Sequence, residues 1–322
     1  MNFVFLPPHS TTTFVWRERL EAHFPDASFR APVNESEVHA QLQTADAAFG
    51  TFSPSTLAIA PALRWLQAPA AAPPAGFYFD ELIEHQAVVT NFRGIYNDHI
   101  SYYVLGVMLN FTKHLHDYRD LQRERRWQPL SGPSYNQIYL PEATALIVGA
   151  GGIGLETARL LKTLGMRVIA TDARRTQPSE WLDELHPADD LHALLPQADF
   201  VISNIPHTPT SEGMFNAECF AQMKRSAIFI NVGRGMTTSL DDLNAALRAG
   251  EIAGAALDVF EIEPLPAEHP LWDAPNTILT PHVAVQEAAY LDERRYQIIE
   301  RNVERFLAGE SLINAVDKRH WF

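Results

Sequence analysis

The segment ALIVGAGGIGLETARLLKTLG, residues 145–165, restricts the fold more than any other part of the chain. Ala145 to Val148 reads as a short buried strand, three spaced glycines follow at once, and helical periodicity begins at Leu155. In such a strand–turn–helix unit the first glycine, Gly149, permits the tight turn. The second, Gly151, lets the backbone approach a pyrophosphate, and the third, Gly154, allows close helix packing. A helix N-terminus adds a preference for negative charge. Gly149, Gly151, Gly152, Ile153 and Gly154 are therefore the expected pyrophosphate contacts of a dinucleotide. Asp172 ends the next strand 18 residues past the last glycine (172 − 154), where a carboxylate can bond the adenosine ribose hydroxyls of NAD. Arg174 and Arg175 follow, and guanidinium groups there suit the 2′-phosphate of NADP. Asp172 would repel that phosphate, so the balance favours NAD with NADP open.

Short β-rich runs alternate with helical patterns along the whole chain, which calls for parallel sheets covered by helices. The first hundred residues carry runs at Phe3–Leu6, Ala45–Phe52, Leu63–Gln67 and Ala87–Asn91, with a helix over Thr12–Phe24. Asp98 is placed to cap a long apolar helix running to Tyr118, and Arg123–Pro141 reads as irregular. Six strands are then expected, at Ala145–Val148, Arg167–Thr171, Phe200–Ser203, Ala227–Val232, Gly254–Val259 and Thr277–Thr280. A final helix over Gln286–Leu307 can return the chain to the first unit. The expected division is a discontinuous domain, 1–97 plus 288–322, into which a dinucleotide-binding domain, 98–287, is inserted.

Composition narrows the function. At 322 residues the chain holds about two domains, and 46% hydrophobic residues suffice for two cores. A net charge of −14 disfavours nucleic acid and anionic membrane surfaces. One cysteine, Cys219, allows no internal disulfide and reads as a small buried side chain, which fits a cytoplasmic protein. The N-terminus lacks the pattern of a signal peptide, and the longest apolar run is far short of the roughly 20 residues that span a bilayer. His114 and His116, two apart on a helix, point in different directions, so no metal is expected.

In open parallel sheets the ligand lies beyond the carboxyl ends of the strands. Arg234 follows INVG, Glu263 lies shortly after GAALDVF, and His282 follows TILTP, so three ionisable residues can converge on one cleft. Hydride reduction of a ketone creates an alkoxide, which needs a proton donor near neutrality, and His282 suits that role. Glu263 can orient the imidazole and stabilise its charged form. Arg234 can bind a substrate carboxylate with its guanidinium fork and polarise the adjacent carbonyl. Asp258 is either an acceptor for the nicotinamide carboxamide or a structural aspartate at a strand end.

PHTPTSEGMFN, INVGRG, GAALDVFEIEPLP, HPLW and TPHVA together resemble the NAD(P)-dependent D-2-hydroxyacid dehydrogenase family, glyoxylate/hydroxypyruvate reductases included, from about Leu63 to Asp317. The resemblance implies α/β architecture with two doubly wound parallel sheets, a Rossmann cofactor domain inserted in a flavodoxin-like substrate domain, and a homodimer formed through the cofactor domain. It implies catalytic roles for Arg234, Glu263 and His282, and cofactor contacts at Ile205, Pro206, Val232 and Gly233. The expected substrate is a small 2-oxoacid or the corresponding D-2-hydroxyacid. Family members carry a glycine-rich carboxylate-binding loop after the fourth strand; here the stretch is Ala70, Ala71, Ala72, Pro73, Pro74. Two prolines remove two donors, so either Ala71 and Ala72 carry the carboxylate binding or the stretch is a rigid turn without ligand contact. Tyr102 replaces a commonly acidic position, and Trp272 is a candidate for shaping specificity. A 3-phosphoglycerate dehydrogenase is the alternative within the enzymes, although its substrate phosphate would need extra cations in the first domain and the nearby loop offers only Arg64 and Arg93. A non-enzymatic NAD(H)-sensing corepressor on the same scaffold is the alternative outside them.

Overall fold

A computed structural model describes residues 1–71, 76–132, 138–285 and 289–319. The chain divides into two units, Met1–Ile95 with Glu287–Phe322, and Tyr96–Gln286.

The first unit holds five short strands, β1 (Asn2–Phe5), β2 (Ser28–Arg30), β3 (Ala47–Phe49), β4 (Trp65–Gln67) and β5 (Val88–Thr90). They pair in parallel in the order β2-β1-β3-β4-β5, the flavodoxin-like arrangement. β2 is absent from the sequence reading because it is an edge strand in which only Phe29 is buried, between Ser28 and Arg30. One face packs Val4, Leu66 and Val89 against α2 (Glu35–Leu42), α3 (Pro54–Ala58) and α4 (Asp80–Glu84). On the other face Phe3 stacks on Phe29 at 4.8 Å, and Phe306 of α11 (Ala289–Ala308) closes over Phe3 and Trp65 at 5.8 and 5.5 Å. α1 (Thr11–His23), capped by Ser10, joins α11 through Arg19 and Glu293 at 2.6 Å. Val316 donates to the Val89 carbonyl beside β5, so the late segment of the chain completes this sheet.

The second unit holds seven parallel strands, β6 (Thr144–Val148), β7 (Arg167–Asp172), β8 (Glu184–Pro187), β9 (Phe200–Ser203), β10 (Ile228–Asn231), β11 (Gly254–Leu257) and β12 (Thr277–Leu279). Their order is β12-β11-β10-β9-β6-β7-β8. β8 is the strand beyond the six expected; it is an edge strand of sequence ELHP, without the apolar signature of its neighbours. Along β6, Leu146 and Val148 face one core and Ala145 and Ile147 the other, so both sheet faces are buried and the strand reads as one apolar run. α5 (Asn97–Lys113) and α7 (Gly152–Thr163) cover one face. α9 (Ala217–Gln222) and α10 (Leu240–Ala249) cover the other, and α8 (Leu191–Leu194) joins them there. Cys219 is buried on α9, its thiol donating to the Met214 carbonyl at 3.1 Å.

Two local expectations fail. α5 has Tyr96, not Asp98, at its N-cap; the Asp98 carboxylate accepts the His99 N–H inside the first turn. Nor does the helix reach Tyr118 unbroken. His114 adopts φ +51, and a separate helix α6 (Leu115–Arg123) begins there. Of the helix expected over Gln286–Leu307, residues 286–288 lie outside the described residues. No helix among the described residues is long and apolar enough to cross a membrane.

Candidate active site

The strand order of the second unit reverses between β6 and β9, and the switch point carries the glycine-rich turn. Gly149 leaves β6 at φ +98, a conformation that L side chains rarely adopt. A Cβ on Gly154 would lie 2.1 Å from the Gly149 carbonyl oxygen, so this glycine lets α7 pack onto the turn. Gly151 differs: among the described residues a Cβ there meets no atom within 4 Å. A glycine at this place in the turn suits the close approach of a pyrophosphate. On Gly152 a Cβ would meet the Asn97 side chain at 2.5 Å, and the Ile153 carbonyl accepts the Ser101 hydroxyl, so α5 buttresses the turn. Asn204, beyond β9, donates its amide to the Val148 and Gly149 carbonyls at 2.6 and 2.8 Å.

Beside the turn lies a cavity of about 450 Å³ lined by Ala150, Gly151, Asp172, Arg174, Arg175 and Thr176, among others. Asp172 Oδ1 accepts the N–H groups of Arg174 and Arg175, both at 2.8 Å, which folds the arginine loop back over the strand end. Arg175 Nε donates to the Ala150 carbonyl at 2.9 Å. The turn, the N-terminus of α7 and this pocket fit the pyrophosphate and adenosine ribose of a dinucleotide. Ile205, Pro206, Val232 and Gly233 come together at the ends of β9 and β10. Val232 donates to Ser203, and a Cβ on Gly233 would lie 2.5 Å from the Ile205 carbonyl. Pro206 accepts the Ser211 hydroxyl at 2.7 Å.

Arg234, Glu263 and His282 all belong to the second unit and follow β10, β11 and β12 in turn. Asn231 and Thr237 donate to the Arg234 carbonyl, and Arg234 Nη1 donates to Gly233 at 2.6 Å. Burial pushes the Arg234 guanidinium below its ordinary value, against the opposing pull of Glu263. A Cβ on Gly235 would sit 1.9 Å from the Phe260 carbonyl, so the arginine loop lies directly on the loop bearing Glu263. Glu263 Oε1 accepts the Phe260 N–H at 3.0 Å, and its Oε2 stands 2.9 Å from His282 Nδ1. A carboxylate only accepts, so Nδ1 carries the proton and Nε2 is the nitrogen left to act. Both side chains are partly open, 51% for His282 and 38% for Glu263.

Asp258, expected either at the nicotinamide carboxamide or as a structural strand-end aspartate, has protein partners on both oxygens. It is 2% exposed and accepts from Thr280, Val283 and Ala284, so its first task is to hold the chain around His282. Thr280 and Gly235 lie inside TPHVA and INVGRG and Asn204 lies outside any of the sequence motifs, yet none was singled out, since each acts through partners distant in the chain. In the first unit the Ala71 carbonyl accepts the Asn91 amide at 2.9 Å, while Ala72, Pro73 and Pro74 lie outside the described residues. Tyr102 is exposed, and Trp272 is half-exposed with its indole N–H on the Pro266 carbonyl. His116 sits between the Asn110 and Asn276 side-chain oxygens, and no group of three or more metal-ligating side chains occurs among the described residues.

Residues 105–284 match the model of the family described as D-isomer specific 2-hydroxyacid dehydrogenase, NAD binding domain. Glyoxylate/hydroxypyruvate reductase A of Yersinia enterocolitica is 32% identical over 215 residues, 67% of this chain and 66% of that protein, so the alignment spans about two thirds of the relative. A D-isomer specific 2-hydroxyacid dehydrogenase from Xanthobacter autotrophicus, solved with NADPH and MES, is 28% identical with a TM-score of 0.83 over 100% of this chain and 99% of that one. The NADPH-dependent glyoxylate/hydroxypyruvate reductase of Sinorhizobium meliloti, solved with NADP and sulfate, is also 28% identical, with a TM-score of 0.77 over the same shares of the two chains. The chain therefore belongs to the D-isomer specific 2-hydroxyacid dehydrogenase family, NAD(P)-dependent oxidoreductases acting on CH–OH groups.

Proposed function

We propose that the protein reduces a small 2-oxoacid to its D-2-hydroxyacid, with the Arg234, Glu263 and His282 set as its catalytic machinery. The observation that carries this reading is the 2.9 Å contact between His282 Nδ1 and Glu263 Oε2, on a loop packed against that of Arg234. Arg234 binds the substrate carboxylate and polarises the carbonyl; His282 Nε2 hands its proton to the forming alkoxide. Glu263 holds the ring in the tautomer that leaves Nε2 facing the substrate and stabilises the imidazolium before transfer. The dinucleotide held by Gly149, Gly151, Gly152, Ile153 and Gly154 supplies the hydride when bound. Asp172 suits the free ribose hydroxyls of NADH, whereas Arg174 and Arg175 suit the 2′-phosphate of NADPH. Tyr96–Gln286 is thus read as the cofactor-binding unit, and Met1–Ile95 with Glu287–Phe322 as the substrate-binding unit. Ala71 and Ala72 are assigned to the substrate carboxylate.

A second copy of the chain is the expected partner. α6 buries none of its residues, and Trp127, just beyond it, is fully exposed beside Tyr118 and Leu121. The cytoplasm is the compartment that suits a chain with one buried thiol. The test is a panel of 2-oxoacids followed at the nicotinamide absorbance with NADH and NADPH in parallel, the product enantiomer identified. His282→Ala is expected to lower kcat by at least about a thousandfold. Failure to reduce any acid in the panel, or near-normal kcat in that variant, overturns the reading.

A further inference from the structure

Asp258 is buried at the end of β11, and both its oxygens are engaged from the far side of the His282 loop. Oδ1 accepts the Val283 N–H at 2.8 Å and the Thr280 hydroxyl at 2.6 Å; Oδ2 accepts the Ala284 N–H at 2.9 Å. The Thr280 hydroxyl has a single proton, and it is spent on an oxygen that can only accept. Its 2.7 Å contact with the Tyr103 hydroxyl is therefore donated by Tyr103. Burial pushes the Tyr103 phenol up to about 12, the Thr280 contact pulling the other way and the Asp258 charge adding to the rise, so the phenol keeps its proton near neutrality. A directed chain of hydrogen bonds thus runs from α5 through Tyr103, Thr280 and Asp258 to the two peptide N–H groups that follow His282.

His282 has a backbone that needs such support. It adopts φ +54, in the left-handed region, and its own N–H turns back onto the Thr280 carbonyl at 2.9 Å. A non-glycine residue persists there only when its surroundings over-determine it. By gripping the next two N–H groups, Asp258 fixes the peptide plane after His282 and with it the direction of the imidazole. Thr280 and Tyr103 hold the carboxylate against rotation.

We infer that Tyr103 and Thr280 are positioning residues which, through Asp258, hold the His282 backbone in the orientation that brings its ring to Glu263. Neither touches reacting atoms. The inference rests on the reading of His282 as proton donor.

Thr280→Val keeps the shape of the side chain without the hydroxyl, Thr280→Ser keeps the hydroxyl, and Tyr103→Phe removes only the outer end of the chain. Thr280→Val is expected to lower kcat about tenfold, and Tyr103→Phe by severalfold. Thr280→Ser should restore most of the loss. Fluorescence titration with NADH and with NADPH should give dissociation constants within about twofold of wild type for all three. Equal kcat in Thr280→Val and Thr280→Ser refutes the relay. So does a loss confined to cofactor affinity, which would assign Asp258 to the nicotinamide alone. His282→Ala, run alongside, separates the two layers: wild-type turnover in it overturns the proton-donor reading and the relay with it. Lost turnover in His282→Ala with indistinguishable Thr280 variants overturns the relay only.

Discussion

Alanine at Gly154 and alanine at Gly151 add the same methyl group to one turn, yet the structure assigns them opposite consequences. At Gly154 the new Cβ would stand 2.1 Å from the Gly149 carbonyl oxygen and 3.0 Å from Ile147 Cγ2 and Asn204 Oδ1. That is 0.9 Å (3.0 − 2.1) inside the shortest approach that Cβ atoms tolerate, and the obstacle is backbone. Overpacking of this kind costs about 3 kcal/mol, and the helical preference for alanine over glycine returns about 1. The net loss of about 2 kcal/mol lowers the melting temperature of a protein this size by roughly 5 °C. The displaced turn also loses cofactor affinity. At Gly151 an added Cβ meets no atom of the described residues within 4 Å, so alanine there costs under about 1 kcal/mol as a poorer N-cap. Its methyl instead occupies the space into which a pyrophosphate must come, breaking one or two charge-assisted hydrogen bonds and raising the cofactor Kd about tenfold to a hundredfold. Thermal unfolding without cofactor, paired with fluorescence titration of NADH and NADPH, reads both quantities. The reasoning fails if Gly154→Ala melts at or above wild type, or if Gly151→Ala binds both dinucleotides normally.

Arg234→Lys keeps the charge but loses the planar fork, so kcat/KM for the best 2-oxoacid should fall about a hundredfold with the NADH and NADPH dissociation constants unchanged; a fall below threefold would argue against bidentate binding. Trp127→Glu places a charge on the exposed surface beside α6, and sedimentation velocity should report a shift from dimer toward monomer; a wild-type chain that sediments as a monomer removes the premise.

Much of this site was legible in the sequence because its residues sit at strand ends in a parallel sheet, where chain order and spatial order are linked. Gly149, Arg234, Glu263 and His282 each follow an apolar run long enough to announce a strand, and the side chains beyond the carboxyl ends share one edge of the sheet. β2 and β8 escaped because both are edge strands with polar residues and little burial to create a pattern. The break at His114 escaped too, since a left-handed residue inside an apolar, helix-periodic stretch leaves no compositional mark. Asp258 was legible as a strand-end aspartate, but its partners were not. The Thr280 hydroxyl lies 22 residues away and Tyr103 is a further 177 from Thr280, contacts that only the folded sheet creates.

Closure of Phe306 over Phe3 and Trp65 also orders events in time during synthesis. The first sheet buries its aromatic face under a helix that emerges 211 residues (306 − 95) after the last residue of the N-terminal segment. At ribosomal speeds of about 5–20 residues per second, that is a wait of roughly 10–40 s. Phe3, Phe29, Phe49 and Trp65 spend the interval without their cover, while the contiguous second unit can fold behind them. The half of the chain that holds neither the glycine-rich turn nor the histidine therefore waits longest for its aromatic cover, and exposed apolar surface of this kind is what makes a nascent chain prone to aggregate.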